Sequence, residues 1–374
     1  MPNITDYLTW RGDLSFIASP WNLIDSLVAA NICYNDLNDI AKTKEGALLG
    51  ELAAVSDLMQ RDGNSYFKKW RAFFFAAAKT KRFGNLHIHD YVEIPDASTQ
   101  FGAMTMEAEG APTIVAFRGT DANLSGWRED CALSFKIVPA QKFAVYYLNA
   151  IAERANKPIL CVGHSKGGNL CAYAAAHVSP QAQSMIDGIW NFDGPGLDDN
   201  TLASEGYGRI RSRLRSVIPE DSVIGLLLND YEQYTVVRST ETGILQHDSL
   251  SWQLNGLHFD ELPQNGTASR LLNQTLDSWL MQCTPEDRQL IVDAVFGLIE
   301  PTGAQTTTEL SAHFLRTVNT ALGSFKNMDP GTRRTLMRLL GRLVATGSGQ
   351  VVGHFKEKWG TRHHAEGRTK DSAQ

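Results

Sequence analysis

The residues best placed to do chemistry are Gly163-His164-Ser165-Lys166-Gly167, at the centre of PILCVGHSKGGNLCAYAAAHV. A G-x-S-x-G sequence that follows an apolar strand and opens a helix sets its serine on a sharp turn. The glycines let the backbone bend there, and the hydroxyl is left exposed at the end of the sheet. A serine hydroxyl is a weak nucleophile by itself. It needs a base to take its proton, an acid to orient that base, and donors to hold the oxyanion that forms when it attacks a carbonyl.

On a strand–turn–helix elbow the partners follow in the chain order serine, acid, histidine. Of ten histidines, His87 and His89 precede Ser165, His164 is part of the elbow, and His177 ends the following helix. His247, in GILQHDSLSW just after the last predicted strand, is the candidate base, with His258 in reserve. Two acids qualify. Asp193, in NFDGPG, ends the first predicted strand after the nucleophile, and Asp221, in SVIPEDSV, ends the second. The backbone amide of Lys166, at the positive end of the helix, is one candidate oxyanion donor. Thr120, in the turn that ends TIVAFRGTD, supplies the other.

Other motifs read as ordinary structure. Arg11-Gly12-Asp13 spells an adhesion tripeptide that an intracellular chain would not display. His87 and His89 share one face of a strand, but no Cys or Glu cluster in the sequence completes a metal site, and none is expected. The sequence holds no G-x-G-x-x-G fingerprint and no phosphate loop, so no nucleotide cofactor is implied. The proposed chemistry needs no cofactor of any kind.

The elements that must position these residues alternate. Short apolar runs (HIHDYVEI, QFGAMTME, PTIVAF, PILCVG, GIWNF, RLRSVI, YTVVRS) read as strands. Ala140–Ala155 and Asn169–His177 read as helices between them. Such alternation predicts a mostly parallel sheet covered by helices, an α/β architecture. Before it lie helices in WNLIDSLVAANICYNDL, with Ser19-Pro20 as the expected start, and at 45–60 and 64–79. After Pro263 the chain turns helical again, with Thr284-Pro285-Glu286-Asp287 as a start signal. The expected division is a helical flank (1–80), an α/β core (81–262), a helical C-terminal region (263–359) and a disordered tail (360–374).

The 374 residues are 43% hydrophobic and 20% charged, an ordinary globular balance that excludes collagen, coiled coil and disorder. The net charge is −6. The last 50 residues hold ten Lys or Arg against four Asp or Glu, so the preceding 324 carry −12. An acidic body argues against nucleic acid as a partner. No apolar run is long enough to span a membrane. Five cysteines, an odd number with no C-x-x-C, read as free thiols. Cys161 and Cys171, flanking the elbow, read as small core residues. The start, MPNITDYLTWRGDLSF, lacks the basic and apolar regions of a secretory signal. The expectation is a cytoplasmic protein.

FRGTDANLSGWREDCALSF followed by a helix and GHSKGG resembles the class 3, fungal-type lipases, with their F-R-G-[ST] loop, W-x-x-D segment and G-H-S-x-G-G elbow. TDYLTWRGDLSF, KRFGNL and the GWRED–GHSKGG pairing are further similar to a bacterial branch of lipase-like hydrolases of unassigned function. The lipase likeness covers about residues 86–260. It implies an α/β-hydrolase fold and a short lid at Ala122–Asp130. It also selects His247 as base, and it implies Asp221 as acid, because Phe192–Pro195 falls where the lipases carry a non-catalytic F-G-x-P segment. Lys166 replaces an aliphatic residue of the lipases, which sets a cation beside the nucleophile. The lid segment is polar apart from Leu124 and Trp127, so interfacial activation on a fat droplet is not expected.

The function that follows is hydrolysis of a carboxylic ester or lipid ester through an acyl-enzyme. The alternatives are acyl transfer or thioester cleavage from the same intermediate, or a silent hydrolase fold used as a binding scaffold. In GTRRTLMRLLGRLVATG, Arg334, Arg338 and Arg342 fall within an arc of about 80° on a helix that turns about 100° per residue. Leu336, Leu339, Leu340 and Leu343 lie opposite. Such a helix could rest on an anionic membrane, or pack its leucines on the rest of the protein, and packing is the expected outcome.

Overall fold

The computed structural model describes residues 2–37, 46–55, 65–96, 99–120, 133, 137–222, 224–226, 234–263, 266, 275, 278–279, 282–299, 330–339 and 341. The candidate lid, Cys131, Arg342, Leu340, Leu343 and the tail 360–374 lie outside them.

The chain opens with helices α1 (Ile4–Arg11) and α2 (Leu23–Ile32). Asn3 and Asn22 cap them, each in a reciprocal box with an acid three residues on, Asp6 and Asp25. The α2 start is therefore Asn22, not Ser19-Pro20. An asparagine with an acid at the third helical position satisfies more of the first-turn amides than a proline start does. A two-residue strand β1 (Ala47–Leu48), α3 (Leu49–Val55), α4 (Ser65–Ala78) and the single turn α5 (Lys81–Gly84) follow. Next come β2 (His87–Asp96), β3 (Thr99–Glu107), β4 (Thr113–Phe117), α6 (Pro139–Ala152), β5 (Ile159–His164) and α7 (Lys166–His177). The core continues through α8 (Pro180–Met185), β6 (Ile186–Phe192), β7 (Leu214–Pro219) and β8 (Tyr234–Val237). It ends in a small hairpin, β9 (Leu254–Asn255) with β10 (His258–Phe259), and an edge strand, β11 (Glu261–Leu262).

Among the described residues one nine-stranded sheet runs in the order β1-β2-β3-β4-β5-β6-β7-β8-β11. Strands β4 to β8 are parallel neighbours, and antiparallel strands extend the sheet on both sides. This is an α/β-hydrolase fold, with the G-x-S-x-G turn at the carboxyl end of β5, near the middle of the parallel strands.

Period-two alternation divides the core between the two faces. Ile114, Ala116, Val162 and Phe192 point to one side, where α2 and α4 supply Leu27, Val28, Phe73 and Phe74. Val115, Phe117, Cys161 and Ile189 point to the other, where α6 and α7 supply Ala144, Leu148, Leu170 and Cys171. The N-terminal helices are thus one of the two layers that cover the sheet.

That layer is pinned by one buried ion pair. Arg82 donates to both carboxylate oxygens of Asp25, at 2.7 and 2.5 Å, and neither side chain is exposed. Two further guanidinium protons go to the carbonyls of Ser19 (2.9 Å) and Pro20 (3.1 Å), and Tyr7 donates to Asp25 at 2.9 Å. The Arg82 amide bonds the Gly12 carbonyl, so the Arg11-Gly12-Asp13 sequence belongs to this junction. Replacing Arg82 with Met leaves the Asp25 carboxylate buried without its cation. The expected loss is about 3–5 kcal/mol of unfolding free energy, measured by urea denaturation.

In the C-terminal region, Trp279, Cys283 and Leu339 cluster, with Leu290 of α9 (Pro285–Ile299) against them. Trp279 donates to the Leu339 carbonyl at 2.9 Å, and Arg338 lies 3.8 Å from Asp287. Leu336 and Leu339 are both buried. For the described part of that helix face, the leucines pack inward. Among the described residues no helix is long and apolar enough to cross a membrane.

Candidate active site

Ser165 sits between β5 and α7 with φ +59° and ψ −133°, a backbone conformation that L-residues adopt only under constraint. The glycines on either side explain how it is held. A side chain on Gly163 would overlap the backbone of Gly167, and one on Gly167 would overlap the Phe117 carbonyl. The elbow therefore packs directly on the end of β4. The Ser165 amide bonds the Phe192 carbonyl at 2.9 Å, fixing the turn against β6 as well.

The structure brings His247 to Ser165. Its Nε2 lies 2.9 Å from Ser165 Oγ, and its Nδ1 lies 2.6 Å from Asp193 Oδ2. A carboxylate only accepts, so Nδ1 carries the proton, and Nε2 is left with a lone pair facing the serine hydroxyl. Three residues from three separate loops form one relay.

The acid at the histidine is Asp193, not the expected Asp221. Asp193 has φ +51° and is 1% exposed. Its Oδ1 accepts from the Ser222 hydroxyl at 2.5 Å and from the Gly225 amide at 3.1 Å, leaving Oδ2 for His247. The loop after β7 thus wraps Asp193 and orients it. The turn of Asp193 is fixed by Asn191, whose Oδ1 accepts from the Gly194 amide at 2.8 Å. Asp221 instead grips the residue before the histidine. Its amide donates to Gln246 Oε1 at 3.0 Å, and its Oδ2 accepts from Gln246 Nε2 at 3.2 Å. His258, the reserve base, is exposed on the β9–β10 hairpin.

Lys166 is the first residue of α7, and Thr120 follows β4 beside the elbow, where Phe117 pairs with Gly163. The Lys166 ammonium is not left exposed beside Ser165. The side chain is 1% exposed, and Nζ donates to the Gln100 carbonyl at 2.9 Å. The loop carrying Thr120 is braced by Arg118, which donates to Glu93 at 2.5 Å. Burial works to depress the Arg118 pKa, but the Glu93 carboxylate beside it outweighs this and holds the guanidinium charged.

The histidine loop has further anchors that spacing does not reveal. Trp252 donates to the Gln246 carbonyl at 2.8 Å, Ser249 to Asn31 of α2 at 3.0 Å, and Lys69 of α4 pairs with Asp248. His164 Nε2 lies 2.8 Å from the His247 carbonyl, and Tyr34 Oη lies 2.7 Å from His164 Nδ1. The histidine inside G-H-S is the available signal in the sequence.

His164 is buried. Burial first, and the neighbouring His247 second, push its pKa well below the usual 6.5. The unfolded chain would bind a proton there below about pH 6.5, whereas the folded chain would not. That part of the stability is present above pH 6.5 and is lost as pH falls below it. The melting temperature is expected to drop between pH 7 and pH 5, with a shallower drop in His164→Gln, by thermal melts across that range.

Among the described residues no group of three or more His, Cys, Asp or Glu is arranged to hold a metal ion. His89 is engaged with Asp90 at 2.6 Å, and Asp90 also pairs with Arg154 at 2.7 Å.

Comparison with known proteins finds lipases among the similar solved structures. Among solved structures, a fungal lipase in complex with an inhibitor is 13% identical over 50% of this chain and 79% of its own, with a TM-score of 0.31. M37 lipase is 15% identical over 54% of this chain and 68% of its own, with a TM-score of 0.35. The propeptide complex of Rhizomucor miehei lipase is 12% identical over 58% and 68%, with a TM-score of 0.33. No curated protein sequence matches. The Mbeg1-like family model matches residues 77–297, which contain β2 through β11, the elbow and the Ser165–His247–Asp193 relay. With more than half of its length matched, the chain belongs to the Mbeg1-like family, a lipase-like family.

Proposed function

We propose that the protein is a serine hydrolase that cleaves carboxylic esters through an acyl-enzyme. The observation that carries this reading is the relay from Asp193 through His247 to Ser165, with the serine held at positive φ on its elbow. In this reading the Ser165 hydroxyl gives its proton to His247 Nε2 as Oγ attacks the ester carbonyl. Asp193 stabilises the imidazolium that forms and keeps the ring in the required tautomer. The backbone amides of Lys166 and Thr120 hold the oxyanion, aided by the positive end of α7.

Collapse of the tetrahedral intermediate transfers the proton from Nε2 to the departing alcohol. Water, activated by the same nitrogen, then releases the acid and restores the serine. Every proton in this cycle passes through His247, and no cofactor enters it. Cys33, Cys161 and Cys171 are free and buried, and thiols in that state suit the reducing cytoplasm we assign to the protein.

A chromogenic p-nitrophenyl ester tests the mechanism. The expected result is a pre-steady-state burst of p-nitrophenol, stoichiometric with enzyme when deacylation is slow, and a matching acyl adduct by intact-mass spectrometry. Folded protein that releases no p-nitrophenol above the uncatalysed rate, from acyl chains short or long, would overturn the reading.

A further inference from the structure

We infer that Tyr34 and His164 are positioning residues that hold the backbone of His247 at the height Ser165 needs. This rests on the serine-hydrolase reading above and adds two residues to its machinery that touch neither substrate nor the reacting oxygen.

The geometry leaves His164 a single protonation state. Its Nε2 faces the His247 carbonyl at 2.8 Å, and a carbonyl can only accept, so Nε2 carries the proton. Its Nδ1 must then accept, and the Tyr34 hydroxyl at 2.7 Å is the donor. The direction of the chain is fixed throughout: Tyr34 donates to His164, and His164 donates to the peptide oxygen of His247. Because His164 is buried, it remains neutral, so this polarity persists under working conditions.

The anchor lies on the residue that has to be placed. The His247 side chain is fixed at one end by Asp193, and its main chain is fixed by His164, so the direction of Nε2 toward Ser165 is set from both sides. The two imidazoles lie 4.8 Å apart at 33°. A neutral ring at that distance does not repel the imidazolium that forms on His247, whereas a charged one would.

Tyr34 also reaches the loop after β4. A side chain on Gly119 would overlap the Tyr34 hydroxyl and press on the His164 carbonyl. The phenol itself is locked by stacking on Trp70, with centroids 4.6 Å apart and planes at 24°. One hydroxyl therefore touches the loop that bears Thr120 and the elbow that bears Ser165, and through His164 it reaches His247. Tyr34 follows α2 and Trp70 lies in α4, so the N-terminal layer takes part in building the site.

Three variants test the inference with a p-nitrophenyl ester and a fluorophosphonate probe: Tyr34→Phe, His164→Leu and His164→Gln. Glutamine can still present an amide N–H near the His247 carbonyl, whereas leucine cannot. Tyr34→Phe and His164→Leu are expected to lower kcat by about tenfold, with KM unchanged and labelling of Ser165 slowed by the same factor. His164→Gln is expected to recover most of that loss. Tyr34→Phe removes one oxygen atom and keeps the stacked ring, so it decides the matter if the leucine variant does not fold.

Folded Tyr34→Phe that turns over and labels at the wild-type rate would overturn the positioning role. Equal losses in the glutamine and leucine variants would do the same. Wild-type protein that neither labels nor turns over ester would withdraw the hydrolase reading and this inference together, so the two failures can be told apart.

Discussion

Ser165→Ala is expected to reduce ester turnover by a factor on the order of a thousand or more, while leaving the fold and melting temperature close to those of the wild type. The hydroxyl is the group that bonds the ester carbon in the proposed cycle, and among the described residues no other nucleophile shares the relay. Removing one small polar atom group from a residue that is 7% exposed costs little packing. The backbone constraint at φ +59° comes from the close approach of Gly163 to Gly167, not from the serine side chain. A background rate supplied by the oxyanion donors alone would survive. Steady-state kinetics on a p-nitrophenyl ester check this, and a variant that keeps most of its activity would remove Ser165 from the mechanism.

Asp193→Asn is expected to lower kcat by about three to four orders of magnitude, with a smaller loss of stability. The amide has nearly the shape of the carboxylate, so the bonds from Ser222 and Gly225 to Oδ1 can persist. An amide nitrogen turned toward His247 Nδ1 would compel that nitrogen to accept. The imidazole would then carry its proton on Nε2, facing Ser165, where it can take no proton from the serine. The companion variant, Asp221→Asn, acts through Gln246 and is expected to cost about tenfold or less. Side-by-side kinetics on the two variants separate the assignments, and the reverse order of effects would restore Asp221 as the acid.

How much of this was legible in the sequence follows from which contacts are local. The Ser165 elbow was legible because all its requirements lie within a few residues: an apolar strand, two glycines that admit close backbone approach, and a helix of small residues. His247 was legible from chain order, since a base must come from the loop that returns after the last parallel strand. The alternation of strands and helices gave the parallel centre of the sheet, because each buried strand is a short apolar run.

The acid was not legible, for a physical reason. Asp193 and Asp221 end adjacent parallel strands, so spacing alone serves either. What decides between them is the loop after β7, which folds back to give Asp193 two donors and turns Asp221 toward Gln246. The placement of the Lys166 ammonium was not legible for a similar reason. Its sequence position beside the nucleophile is fixed, but its long stem carries the ammonium away to the Gln100 carbonyl. Tyr34 and Asn31, which meet the site from far upstream in the chain, carry no local signature at all.

Reaction with a fluorophosphonate probe, followed by peptide mass spectrometry, tests the central claim most directly. Such a probe forms a stable bond only with a serine whose proton can pass to an adjacent base and whose oxyanion is stabilised. The relay from Asp193 through His247 predicts a single adduct, on the peptide containing Ser165, at one equivalent per chain. Folded protein that takes up no probe, or takes it up at a residue other than Ser165, would contradict the account.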